Sequence, residues 1–168
     1  MPANALWAAA PPDMPTHAEK KRLPQTPQQL FDMVADVENY PKFLPWCVAC
    51  RINRREGNVL WADLVVGFKM LREKFTSQVV LNRPNRIDVE YLDGPFRYLN
   101  NHWTFDALPA GGTEIGFLID FEFRSKLLQS LMGTVFNEAV RRMVGAFEKR
   151  ARELYGDAVQ GAPATNVG

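Results

Sequence analysis

Thr113-Glu114-Ile115-Gly116-Phe117-Leu118-Ile119-Asp120-Phe121-Glu122-Phe123 runs through Arg124-Ser125 into Lys126-Leu127-Leu128, and the fold is decided where the first pattern gives way to the second. In the first, Ile115, Phe117, Ile119, Phe121 and Phe123 share one face, and Glu114, Asp120 and Glu122 share the other. Alternation of this kind marks a strand with one buried and one wet side. After Ser125, which suits an N-cap, the spacing changes. Leu128, Leu131, Met132, Val135, Phe136, Ala139, Met143 and Phe147 follow at steps of three and four, the stripe of an amphipathic helix. That helix should reach about Tyr155. At about 1.5 Å per residue it is roughly 45 Å long, enough to cross a whole curved sheet.

Reading outward, the pattern upstream predicts further strands at roughly 47–55, 58–68, 70–82, 85–92 and 98–107. Glu56-Gly57-Asn58, Arg83-Pro84-Asn85, Asp93-Gly94-Pro95 and Pro109-Ala110-Gly111-Gly112 separate them as short turns, so consecutive strands should pair antiparallel. Ile87, Val89 and Tyr91 oppose Asp88 and Glu90; Leu99, Asn101, Trp103 and Phe105 oppose Asn100, His102, Thr104 and Asp106. A further short strand is expected near 17–23. Thr26-Pro27-Gln28-Gln29 is a capping box with proline at the first helical position, and Leu30, Phe31, Val34 and Ala35 give that helix its stripe. Pro41 and Pro45 confine the next segment to a short second helix around Asn39 to Leu44. The expected fold class is α+β: a strongly bent antiparallel sheet of six to seven strands wrapped around one long C-terminal helix.

Length and composition agree with one domain. The chain has 168 residues, 46% apolar and 23% charged, which excludes disordered, collagen-like and fibrous classes. A net charge of +1 gives no general argument for nucleic acid, and DNA is not an expected partner. Met1 to Ala10 is apolar but carries no Lys or Arg, so a secretory signal is rejected. Residues 1–15 read as a disordered leader, 16–156 as the folded domain and 157–168 as a disordered tail, with Met14 an alternative start. Two cysteines, Cys47 and Cys50, do not make a disulfide scaffold, and a reducing cytoplasm is expected. Their C-x-x-C spacing sits in a strand, where positions i and i+3 point to opposite faces, so plain structural thiols are expected rather than a metal or redox pair.

Several separated motifs carry a resemblance to a known family. Leu30-Phe31-Asp32-Met33-Val34-Ala35-Asp36-Val37-Glu38-Asn39-Tyr40-Pro41-Lys42-Phe43-Leu44-Pro45-Trp46-Cys47 resembles the opening signature of the coenzyme-Q-binding START-domain family, within the polyketide cyclase/START-like superfamily. Val66-Gly67-Phe68, Asp93-Gly94-Pro95-Phe96, Leu118-Ile119-Asp120-Phe121-Glu122-Phe123-Arg124 and Phe136-Asn137-Glu138-Ala139-Val140 are similar to later motifs of that family. The resemblance spans about residues 15–155. It implies the helix-grip fold of START and Bet v 1-like proteins and a lipid-quinone ligand. The family holds both ubiquinone-binding proteins needed for respiration and bacterial ribosome-association toxins of toxin–antitoxin pairs. The first role, a non-enzymatic ubiquinone binder supporting delivery or biosynthesis of coenzyme Q, is the leading expectation. It brings no other cofactor, and peripheral contact with the inner membrane goes with it. A toxin that associates with ribosomes and inhibits translation is the alternative.

A curved sheet cannot be filled everywhere by one helix, and the gap would be a concave apolar site. The expected walls are Phe68, Phe75, Tyr91, Trp103, Phe117 and Phe121 on the sheet, with Met132, Val135, Phe136 and Met143 facing them from the helix. A solid core made of the same residues is the competing reading. Leaving a prenyl chain in water costs about 0.8 kcal/mol per CH₂, so a carrier needs a tunnel nearly as apolar as lipid. A quinone head then needs one or two donors for its carbonyls. Asn101, on the Trp103 face, and the Trp46 indole at the mouth are the candidates, with satisfaction of a backbone group as the other reading of Asn101.

No catalytic or metal residue is assigned. His102 falls on the solvated face by parity, and Glu73 beside Phe75 suits a rim position better than a general base. Gly133 either leaves room for a ligand or permits close packing. Arg141, Arg142, Lys149, Arg150 and Arg152 form either a solvated face or a basic patch for anionic lipid or ribosomal RNA.

Overall fold

The structure, a computed structural model, describes residues 16–68 and 70–156. The expected leader 1–15 and tail 157–168 lie outside the described residues. Within them the order is β1 (Thr16–Leu23), α1 (Pro27–Ala35), a 3-10 segment (Val37–Lys42), β2 (Cys47–Glu56), β3 (Val59–Phe68), β4 (Leu71–Asn82), β5 (Arg86–Asp93), β6 (Phe96–Ala107), β7 (Thr113–Phe123) and α2 (Lys126–Tyr155). All seven strands form one antiparallel sheet in the order β1-β7-β6-β5-β4-β3-β2. This is the expected α+β helix-grip arrangement, with seven strands. β7 and α2 carry the bounds that the change of period gave them.

Local chemistry fixes the ends of both helices. The Thr26 hydroxyl accepts from Gln29 N at 3.1 Å, and the Gln29 side chain accepts from Thr26 N at 3.0 Å, so the capping box closes. Ser125 Oγ accepts from Leu128 N at 3.2 Å and caps α2. α1 buries Leu30, Phe31, Met33, Val34 and Ala35. The short second helix after it is of the 3-10 type and runs Val37–Lys42 rather than Asn39 to Leu44. Pro41 lacks the N–H that an α turn would use.

β6 begins at Phe96, two residues earlier than the expected start at 98. Arg124 explains the extension: its backbone N–H bonds the Pro95 carbonyl at 2.8 Å, and its Nε bonds the Phe96 carbonyl at 2.9 Å. Phe96 thereby becomes the centre of an aromatic cluster. Its ring lies 4.7 Å from Phe123, 5.4 Å from Phe75, 5.4 Å from Tyr91 and 5.5 Å from Phe121. Gly94 permits this approach. It has φ +145°, and a Cβ there would lie 2.6 Å from Phe75 Cβ.

Candidate functional site

The concave face of the sheet and the helices above it form a half-open cavity of about 180 Å³. Val34, Val37 and Tyr40 close one side. β2 to β4 contribute Cys47, Cys50, Ala62, Leu64, Val66, Phe75, Ser77 and Val79, and β5 to β7 contribute Ile87, Val89, Leu99, Asn101, Trp103, Phe117 and Ile119. Met143 and Phe147 cover it from α2. The interior is therefore hollow, not solid. The space has a local cause. Ala62 and Ser77 face each other across β3 and β4, and two small side chains leave a gap where large ones would meet.

Five of the twelve expected site residues line this cavity: Phe75, Asn101, Trp103, Phe117 and Met143. Phe68, Met132 and Val135 line a smaller apolar opening of about 60 Å³ between the β3–β4 end and the first turns of α2. Val66 belongs to both walls, so the two spaces are neighbours. Glu73 sits on this smaller opening, the rim position its sequence context suggested. Trp46 packs its indole on Phe68 at 6.2 Å. Tyr91, Phe121 and Phe136 stand apart from the cavity. They pack on the Phe96 cluster, where Tyr91 Oη accepts from Phe96 N at 3.0 Å and Phe136 lies 5.6 Å from Phe121. Strand parity for Tyr91 and Phe121, and helical spacing for Phe136, gave the inward face but not the height along it. Gly133 is exposed, and a Cβ added there would meet nothing within 4 Å, so the glycine makes no room for a ligand.

The polar groups of the wall are largely engaged. Trp103 Nε1 donates to Asn101 Oδ1 at 3.2 Å, and Asn101 Nδ2 donates to the Leu118 carbonyl at 2.9 Å. Asn101 therefore does satisfy a backbone group. Tyr40 Oη donates to the Val34 carbonyl, and burial pushes its phenol well above the ordinary value. Ser77 Oγ has no partner among the described residues.

The two cysteines correct the parity argument. A β-bulge between Cys47 and Ala49 adds a residue to β2, so both thiols reach the same cavity. Burial raises the Cys47 thiol to about 11 and, with the neighbouring Cys47 adding to it, the Cys50 thiol to about 12. Both are neutral and unreactive near neutral pH. Among the described residues no group of His, Cys, Asp and Glu is placed to hold a metal.

His102 lies on the outer face as expected, hydrogen-bonded to Asp88. Burial works against the Asp88 carboxylate, but bonds from Arg86 and His102 outweigh it and hold the group below its ordinary value. Two larger surface grooves, of about 490 and 390 Å³, are lined by charged side chains. Pairs such as Lys21 with Glu148 at 2.9 Å and Arg83 with Asp32 occupy them. On α2, Arg141 and Arg142 both bond Glu138, at 2.9 and 2.8 Å, which favours the solvated-face reading of those two arginines over a basic patch. A different basic surface lies on the outer face of β2 to β4. Arg51, Arg54, Arg72 and Lys74 are exposed there, with Arg54 stacked 3.8 Å over the Trp61 ring. Asp63 sits among them, 3.6 Å from Lys74 and 3.9 Å from Arg51.

No helix among the described residues is long and apolar enough to cross a membrane.

Comparison with known proteins reproduces the two branches of the resemblance. The chain is 41% identical over 139 residues to the ribosome association toxin RatA of Rickettsia prowazekii, covering 80% of this chain and 94% of that one. It is 34% identical over 144 residues to the mitochondrial coenzyme Q-binding protein COQ10 homolog B of Xenopus laevis, covering 83% of this chain and 59% of the other. Among solved structures, the 18 kDa protein CC1736 of Caulobacter crescentus matches with a TM-score of 0.68 and 40% identity, over 84% of this chain and 98% of that one. The Zhui aromatase/cyclase of a Streptomyces species matches with a TM-score of 0.73 at 16% identity, over 88% and 98% of the two chains, a likeness of fold alone. Residues 23–148 match the family described as "Polyketide cyclase / dehydrase and lipid transport", and with sequence, sheet order and cavity in agreement, the chain belongs to that family.

Proposed function

We propose that the protein is a non-enzymatic binder of an apolar ring-bearing lipid, ubiquinone, and supports its delivery or biosynthesis for respiration. The cavity under α2 carries this reading. A cavity of about 150 Å³ is enough for one benzene ring. The 180 Å³ here suits a single substituted ring and leaves no space for a polyprenyl chain as well. The chain would therefore run out past Val66 into the opening lined by Phe68, Leu131 and Met132. The coenzyme Q-binding name of the Xenopus relative supports the choice of ring.

The ionisable groups on the wall support a binding role over a catalytic one. Tyr40, Cys47 and Cys50 are all held in their neutral forms by burial. Among the described residues no carboxylate, lysine or histidine lines the cavity to act as acid or base. Titration of the purified chain with decylubiquinone, followed by quenching of Trp103 emission, tests the proposal. Saturable quenching in the wild type, lost in Trp103→Phe, is expected; no saturable change at any concentration counts against it.

The outer face of β2 to β4 favours a second reading, in line with the name of the Rickettsia relative. Exposed arginines with a stacked tryptophan suit a phosphate backbone, such as that of ribosomal RNA. Ribosome co-sedimentation that falls with salt and with Arg51→Glu plus Arg54→Glu would support it. Co-sedimentation unchanged by the double substitution would oppose it.

A further inference from the structure

We propose that Ser77 anchors the ligand: its hydroxyl donates a hydrogen bond to a ring carbonyl oxygen, so the ligand enters ring first with its chain trailing outward. The inference rests on the cavity-binding reading above and adds the group that reads the ring.

Ser77 is 5% exposed and lines the cavity, and its Oγ has no hydrogen-bond partner among the described residues. A hydroxyl buried without a partner costs free energy, and native structures rarely keep one without use. The other strong polar groups of this wall already have partners, because Tyr40 is tied to Val34 and Trp103 to Asn101. The strand geometry around Ser77 is also irregular. Thr76 pairs with Asp93 but Ser77 pairs with Tyr91, so Leu92 is an extra residue in β5 and makes a bulge at this point. Bulges re-aim side chains and cluster beside binding sites. Its register partner on β3 is the small Ala62, which leaves this part of the wall without a large side chain. A quinone offers only acceptor oxygens in its ring plane, which matches a free O–H donor.

The arrangement has a two-sided signature. Removing an unpartnered hydroxyl should not weaken the empty protein, yet it should weaken binding of an oxygen-bearing ring. The test compares wild type with Ser77→Ala, using decylubiquinone and the oxygen-free decylbenzene as probes. Ser77→Ala should lose about tenfold in affinity for decylubiquinone and nothing for decylbenzene. Its melting temperature without ligand should equal or exceed that of the wild type. The carbonyl stretch of bound decylubiquinone should lie at lower frequency in the wild type than in the variant. Equal decylubiquinone affinity and an unshifted carbonyl in both proteins would overturn the role of Ser77 and leave the cavity reading standing. A wild type that binds neither probe would overturn both. If Ser77→Ala does not fold, Ser77→Cys, similar in size but a weak donor, carries the same comparison.

Discussion

The Trp103 indole is held by Asn101, two residues before it on the same face of β6, through a 3.2 Å bond from Nε1 to Oδ1. Asn101 passes the restraint to β7 by donating to the Leu118 carbonyl at 2.9 Å. The amide thus locks the largest ring of the cavity wall to the neighbouring strand. Asn101→Leu leaves the buried indole N–H and the Leu118 carbonyl short of a partner. It should cost about 2 kcal/mol of stability and free the Trp103 ring. Chemical denaturation and the width of the Trp103 emission band check this; unchanged stability would mean that the pair is incidental.

Filling the cavity separates binding from folding. Ala62→Phe would place a ring where about 180 Å³ is open. Wild-type-like melting, within the cost of modest overpacking, about 1–3 kcal/mol, is expected together with loss of decylubiquinone binding. Retained binding in a folded Ala62→Phe protein would place the ligand elsewhere.

The thiols report on the same space. An ordinary thiol has a pKa of about 8.5, whereas burial lifts Cys47 to about 11 and Cys50 to about 12. Because the thiolate is the reactive form, alkylation by iodoacetamide should be slow at neutral pH and still rising at pH 10, where a free thiol has levelled off. Bound decylubiquinone should slow it further. A rate that levels off near pH 8.5 would show that the thiols face water.

Gly94 tests the aromatic cluster beside the cavity. At φ +145°, with a Cβ position 2.6 Å from Phe75 Cβ, alanine must push Phe75 or the turn away. Gly94→Ala should destabilise by about 3 kcal/mol, read by thermal or denaturant unfolding. A neutral effect would mean that the hairpin relaxes freely.

Much of the fold was legible because the period of the apolar residues changes sharply. β7 reads in twos up to Phe123, Ser125 caps, and α2 reads in threes and fours to Tyr155. The capping box at Thr26 is equally local, and both hydrogen bonds form. What escaped was set by long-range contacts or by irregular backbone. Phe96 joined β6 because Arg124, distant in sequence but just past the end of the neighbouring β7, bonds its carbonyl. Cys47 and Cys50 share a face only because of a bulge that no residue pattern announces. Tyr91 and Phe121 were placed on the concave face by parity and Phe136 opposite them by helical spacing, yet height along the element decides whether a side chain meets the hollow or another ring. Ala62 and Ser77, which make the hollow, carry almost no hydrophobic signal, and nothing in the local pattern marks them.

The most direct test of the account is mass spectrometry of organic extracts from the purified full chain and from Ala62→Phe, both expressed in a ubiquinone-producing bacterium. The account predicts ubiquinone in near-stoichiometric amount from the wild type and little from the filled variant. Extracts without ubiquinone from the wild type, or with equal amounts from the two proteins, would contradict it.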